Sequence, residues 1–309
     1  ILEFNVRVAN IASNQSGKQL GVNVFEHVGD NGGVDRGHSA TVFEHVVEPS
    51  FTGMDKSVID IAAGSVAGTT SATVSVGFTQ NGEVPAYNVV LRDQFPNGSD
   101  YAIQSIVING TSYTTGTLPA GVTASIVGGQ VVLTFDQLNV GDTVQVVYSV
   151  TLPNTIVPDD ASSSAVLTWT SLPTSFENAG WGGSLPLAAG GVDGERTGQD
   201  GASGLNNYIL SDGAGMGVVQ GTLWDDTKSA TNSVTPDGPG LGGIGVTLTW
   251  AGDDGLFGTG DDRLFSTTTA ADGTYQFAIL PSGNYLVAVA QNFAQASNCL
   301  LYTSDAADD

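Results

Sequence analysis

Apolar and polar residues alternate along most of the chain in short runs, with the two-residue period of a half-buried strand. Ala72-Thr-Val-Ser-Val-Gly-Phe, Tyr87-Asn-Val-Val-Leu, Val131-Val-Leu-Thr-Phe and Val144-Gln-Val-Val-Tyr-Ser-Val are examples, rich in β-branched side chains. Gly, Asn, Asp and Pro bound these runs at intervals of about ten residues, the spacing of antiparallel sandwiches. No stretch combines helical periodicity with caps. The pattern predicts an all-β chain of tandem sandwiches.

An internal repeat sets the expected division. Leu2-Glu-Phe-Asn-Val-Arg-Val-Ala-Asn, a polar stretch and Leu20-Gly-Val-Asn-Val-Phe match Val146-Val-Tyr-Ser-Val-Thr-Leu-Pro-Asn, a polar stretch and Ala165-Val-Leu-Thr-Trp. A glycine-rich acidic loop follows each copy, Gly32-Gly-Val-Asp-Arg in one and Gly190-Gly-Val-Asp-Gly-Glu-Arg in the other. Residues 1–52 therefore read as the C-terminal part of a module and 53–215 as a complete copy with a long glycine-rich insert. Residues 216–292 form a different unit and 293–309 a tail, with linkers expected at Pro49–Asp55 and Gly213–Gly221.

Phe78-Thr-Gln-Asn-Gly-Glu-Val-Pro-Ala-Tyr-Asn-Val-Val-Leu-Arg-Asp-Gln-Phe-Pro resembles the N-x-G-x-x-x-A-x-N-V-x-V-x-D-x-x-P signature of the bacterial "conserved repeat domain". That family is an Ig-like module strung in tandem in large surface proteins. Leu138-Asn-Val-Gly-Asp-Thr-Val-Gln-Val-Val-Tyr-Ser-Val resembles its later strand pair, and Gly194-Glu-Arg-Thr-Gly-Gln-Asp-Gly its glycine-rich insert. Val219-Gln-Gly-Thr-Leu-Trp-Asp-Asp, Pro239-Gly-Leu-Gly-Gly-Ile-Gly-Val-Thr-Leu and Thr267-Thr-Thr-Ala-Ala-Asp-Gly-Thr-Tyr-Gln-Phe resemble the B domain of serine-aspartate-repeat adhesins. That domain is a prealbumin-like β-sandwich. The tail from Cys299 to Asp309, CLLYTSDAADD, resembles a translated sequencing adapter of the kind found in environmental gene fragments, and the opening at Ile1 in mid-alternation also reads as that of a fragment.

Composition narrows the partners. Lys and Arg number 8 against 31 Asp and Glu, a net charge of −23 over 309 residues. Such a surface repels phosphate backbones and anionic headgroups, which argues against nucleic acid and membrane surfaces. No apolar run reaches the length of a membrane span. The lone cysteine, Cys299, lies in the tail, so disulfides and thiol chemistry are absent from the remainder.

Candidate chemistry concentrates in acidic loops. Gly252-Asp-Asp-Gly-Leu-Phe-Gly-Thr-Gly-Asp-Asp brings Asp253, Asp254, Asp261 and Asp262 together among glycines, the make-up of an oxygen shell for Ca²⁺. In the B-domain resemblance a second Ca²⁺ loop follows Trp224, where Asp226 takes the first ligand position and Asp237 a later one, with Lys228 and Ala230 replacing Asn positions. His27 and His45 repeat in Val-Phe-Glu-His-Val strings and face solvent on paired strands in the plainest reading, a cross-strand zinc site between them being the alternative. No G-x-S-x-G elbow occurs, and the carboxylates are not set across an aromatic cleft. Ig-like surface modules sometimes join a first-strand Lys to a last-strand Asn by an isopeptide bond. Lys56 and Asn206 are the candidates, the plain alternative for Lys56 being an exposed residue at a strand edge.

These features lead to the expectation of a non-catalytic stalk or spacer in a large bacterial secreted or cell-surface adhesin-like protein. Its partners are neighbouring β-sandwich modules, and calcium stiffens the last module. The competing expectations are a module that binds a glycan, host or matrix-protein ligand, and the spacer region of a giant exoenzyme.

Overall fold

The computed structural model describes residues 8, 10–22, 25–28, 34–38, 41–66, 69–95, 97–153, 162–173, 195–225, 238–252, 254–289 and 302–304. Every element among them is a strand, and every ladder is antiparallel. The first segment holds β1 (Gln19–Val22), β2 (Phe25–Val28), β3 (Val34–His38) and β4 (Val42–His45), paired β1 with β4 and β2 with β3.

The central sandwich contains β5 (Phe51–Ala63), β6 (Thr69–Gln80), β7 (Ala86–Asp93), β8 (Ser99–Ile108), β9 (Thr111–Tyr113), β10 (Val122–Val127), β11 (Gln130–Leu138), β12 (Thr143–Pro153), β13 (Ser162–Thr170) and β14 (Ile209–Gly215). One sheet runs β5-β6-β12-β8-β9 and the other β10-β11-β7-β13-β14. Alternation in the sequence becomes alternation in burial: Val144, Val146, Tyr148, Val150 and Leu152 of β12 face inward, opposite Val89 and Leu91 of β7 and Leu133 and Phe135 of β11. Each such buried side chain contributes about 1.5–3 kcal/mol. Phe51 closes one end of this core against Phe78 and Trp169, and Tyr208 stacks on Trp169 at 5.5 Å.

The last unit comprises β15 (Gly217–Thr222), β16 (Gly245–Trp250), β17 (Arg263–Thr268), β18 (Thr274–Leu280), β19 (Tyr285–Val289) and β20 (Tyr302–Ser304), in sheets β18-β15-β20 and β17-β16-β19. The tail thus supplies a strand, with Tyr302 opposite Thr222. Val246, Leu248, Trp250, Phe277 and Ile279 fill the space between these sheets.

The two expected linkers are mostly strand. β5 starts at Phe51, already in the core, and runs through the Phe-Thr-Gly-Met stretch because the chain bulges there: the register slips between Thr52 and Asp55, with Gly53 at φ 61. β14 ends at Gly215 and β15 begins at Gly217, with Met216 between them only 5% exposed. A polar, glycine-rich sequence signals a linker only when its backbone is free, and here it is paired.

Candidate functional site

The bulge in β5 decides what Lys56 does. Phe51 faces the core, so strict alternation would send Lys56 to solvent; the extra residue at the bulge resets the phase, and Lys56 points inward with Met54 and Val58 beside the core. The expected exposed edge lysine is instead 4% exposed.

Its side chain enters a closed polar cluster drawn from both sheets. Nζ donates to Asp93 Oδ1 at 2.6 Å and to Ser163 Oγ at 2.6 Å. Both side chains of the Lys56–Asp93 pair have no exposed surface. Ser163 passes its single hydrogen to the carbonyl of Gln94 at 2.5 Å, so it accepts from the ammonium. Tyr148 donates to Asp93 Oδ2 at 2.6 Å, and the Phe95 ring lies 4.1 Å from Nζ. The backbone N–H of Lys56 donates to Asp212 Oδ2 at 2.7 Å. β5 and β12 are therefore tied to β7, β13 and β14 across the sandwich.

Burial sets the electrostatics. It pulls the Lys56 pKa below its usual 10.5, against the opposing pull of Asp93. It raises the Tyr148 hydroxyl far above 10, and the Asp93 carboxylate adds to that shift. The cluster has donors and acceptors paired and no surface to offer a substrate, so its chemistry is cohesion between the sheets.

Asn206 belongs elsewhere. Its Nδ2 donates to Asp200 Oδ2 at 3.0 Å and its Oδ1 accepts from Asn10 Nδ2 at 2.9 Å. Lys56 and Asn206 thus have separate partners, because Asn206 sits in the loop ahead of β14 while Lys56 reaches the end of β7. Sequence reasoning missed Asp93, Ser163 and Tyr148. Asp93 alone carried a signal, as the acidic position of the repeat-domain signature that ends the Tyr87–Leu91 apolar run.

The acidic loop gathers Asp254, Asp261 and Asp262 around one hydroxyl. Thr259 Oγ1 donates to Asp261 Oδ1 at 2.6 Å and lies 3.5 Å from both Asp254 Oδ1 and Asp262 Oδ1. The N–H groups of Leu256 and Gly258 bind Asp254 and Asp262 at 2.8 and 2.7 Å. Among the described residues no group of three or more His, Cys, Asp or Glu is arranged to hold a metal ion. Asp226, Asp237 and Asp253 lie outside the described residues. His45 pairs in register with Gln19 and His27 with Asp35, on separate ladders. No helix among the described residues is long and apolar enough to cross a membrane.

No family model and no curated protein matches the chain. Among solved structures it is similar to the T6 backbone pilin of serotype M6 Streptococcus pyogenes, at 13% identity and a TM-score of 0.43 over 86% of this chain and 53% of that one. It therefore spans about half of that pilin's length. The 35 kDa C-terminal fragment of the major pilin GBS80 of Streptococcus agalactiae gives 13% identity and a TM-score of 0.43, over 83% of this chain and 91% of the other. The Actinomyces fimbrial adhesin FimA gives 12% and 0.36 over 83% and 95%. Likeness at this level carries no weight for function; the all-β sandwich architecture rests on the strands and ladders above.

Proposed function

We propose that the chain is a non-catalytic structural segment, a stalk or spacer of tandem sandwiches in a large bacterial secreted or cell-surface adhesin-like protein. The observation that carries this reading is the join between the central and last sandwiches. Met216 is buried between β14 and β15, and it belongs to one apolar core with residues of both sandwiches, among them Leu152, Leu167, Phe277 and Leu280. Arg263 Nε also reaches Asp60 Oδ1 at 2.9 Å across the join. A spacer needs units that do not swivel, and burial at the join supplies that. Small-angle scattering of the full chain tests it: an elongated particle is expected, and a compact globule overturns the reading.

Two finer features belong to the same proposal. The Lys56 cluster acts as a bolt between the sheets. Condensation of Nζ with the Asp93 carboxyl would replace the ion pair by an amide and release one water, so intact mass distinguishes the two forms of the bolt. Calcium stiffening of the last sandwich is carried by the sequence of the 252–262 loop, whose carboxylates are spaced by glycines. Its test is a thermal melt with calcium and with chelator; an unchanged midpoint removes calcium from the reading.

A further inference from the structure

The glycine-rich insert that both copies of the repeat carry ends, in the central sandwich, at Glu195-Arg196. Arg196 is one of 8 basic residues in the chain, and its side chain is only 6% exposed. Its guanidinium does not serve its own sandwich core. Nη1 donates to Gln15 Oε1 at 2.8 Å, and Nη2 donates to the carbonyls of Asn14 at 2.7 Å and Ile11 at 3.3 Å. Nη1 also lies 3.2 Å from Glu48 Oε1. The base of the arginine is fixed: its N–H donates to Ser171 Oγ at 2.8 Å, and its carbonyl accepts from the Ser171 N–H at 3.0 Å, just beyond β13.

The groups it holds form one turn of the preceding segment. Asn14 N–H closes that turn on the Ile11 carbonyl, and Lys18 N–H closes the next on Gln15. A turn leaves further carbonyl lone pairs pointing outward, and the planar five-donor fork of an arginine can satisfy several at once. Two more contacts flank the fork. Asn10 Nδ2 donates to the Glu195 carbonyl at 2.8 Å and to Asn206 Oδ1, and Ser16 Oγ donates to Glu83 Oε2 at 3.1 Å. Asn206 is itself held by Asp200 through both its side-chain and backbone nitrogens. Residues about 70 to 195 positions apart therefore make one polar interface between the N-terminal segment and one pole of the central sandwich.

We propose that Arg196, with Glu195, Asn206 and Glu83, forms an interaction socket for the turn of the module that precedes it in the array. The partner is a second module of the same kind, presenting an Asn amide and a row of turn carbonyls. Recognition of main-chain oxygens reads the shape of the turn more than its side chains, so the socket suits successive copies that differ in sequence. The inference deepens the stalk reading and rests on it: the socket fixes the angle between modules that would otherwise pivot around residues 46–50.

Hydrogen exchange on the full-length chain tests the socket. In Arg196→Ala, exchange in residues 10–22 and 41–48 is expected to accelerate roughly tenfold or more, the factor one charge-assisted hydrogen bond is worth. β6 and β12 are expected to keep wild-type protection. Arg196→Lys retains the charge beside Glu48 but loses the fork, and is expected to behave like the alanine variant. Asn10→Ala acts from the turn side and should produce the same local loss without touching the sandwich. Unchanged exchange in residues 10–22 overturns the socket, and so does a loss of protection that spreads to β6 and β12. The scattering of the wild-type chain decides the stalk separately: a compact wild type refutes the stalk even where the exchange result holds.

Discussion

Replacing Lys56 by Met is the sharpest probe of the buried bolt. Methionine keeps much of the aliphatic stem and removes the charge, leaving Asp93 without a counterion at a site with no exposed surface. At 2.6 Å and an effective dielectric of about 20 the Coulomb attraction of the pair is ~6 kcal/mol. Desolvating each ion costs several kcal/mol, so the intact pair adds little net stability, whereas removing one partner leaves the other ion's cost unopposed. Lys56→Met should therefore destabilise the central sandwich by about 3–5 kcal/mol. That is a large share of a typical domain stability of about 5–15 kcal/mol. The double change Lys56→Met with Asp93→Leu should recover most of the loss, because no charge is then stranded. Urea unfolding followed by tryptophan fluorescence measures both, after intact mass has shown whether the pair is ionic. A single variant within about 1 kcal/mol of wild type would refute the reasoning, as would a double variant no better than the single.

Phe135→Ala, at a site 1% exposed and edge-on to Phe78, should cost about 3–5 kcal/mol in the same assay. Arg263→Ala should change stability by less than about 1 kcal/mol, since both partners of its ion pair are roughly two-fifths exposed; a larger loss would mean that the join depends on that pair instead of on Met216. Burial raises the pKa of Tyr101, Tyr148, Tyr208, Tyr275 and Tyr285 above 10.0. The folded chain then holds protons that the unfolded chain has released, so stability should fall as pH climbs past 10.0, read as a declining urea midpoint. Lys56 acts in the opposite sense below 10.5, where its lowered pKa lets the folded state release a proton first; any rise in stability there should vanish in Lys56→Met. In the last sandwich, Asp254→Ala with Asp262→Ala should abolish a calcium-dependent rise in melting temperature, and a rise that survives the double change would place the cation elsewhere.

The fold class was legible because alternation is a local property: the residues of β6, β11 and β12 announce both their strands and their buried faces. What could not be read was anything that depends on phase or on long-range register. Lys56 looks like an edge lysine because its inward direction comes from a bulge two residues upstream, and a bulge leaves only Gly53 as its trace. Asn206 looks like a last-strand partner for Lys56, yet the loop before β14 delivers it to Asn10, nearly two hundred positions away. Arg196 was visible as part of a recurring glycine-rich string, but its role lies in carbonyls of another segment, and carbonyls have no sequence signature. The same distinction explains the linkers. Residues 51–55 and 213–221 have the composition of free chain, and become strand because β6, β13 and β18 stand beside them with open hydrogen-bonding edges. In a chain with only 8 basic residues, two of them, Lys56 and Arg196, are spent in buried contacts, one across a sandwich and one between units. The net charge of −23 sets up a self-repulsion that works against the compact state, and these two buried contacts hold sheets and units together against it.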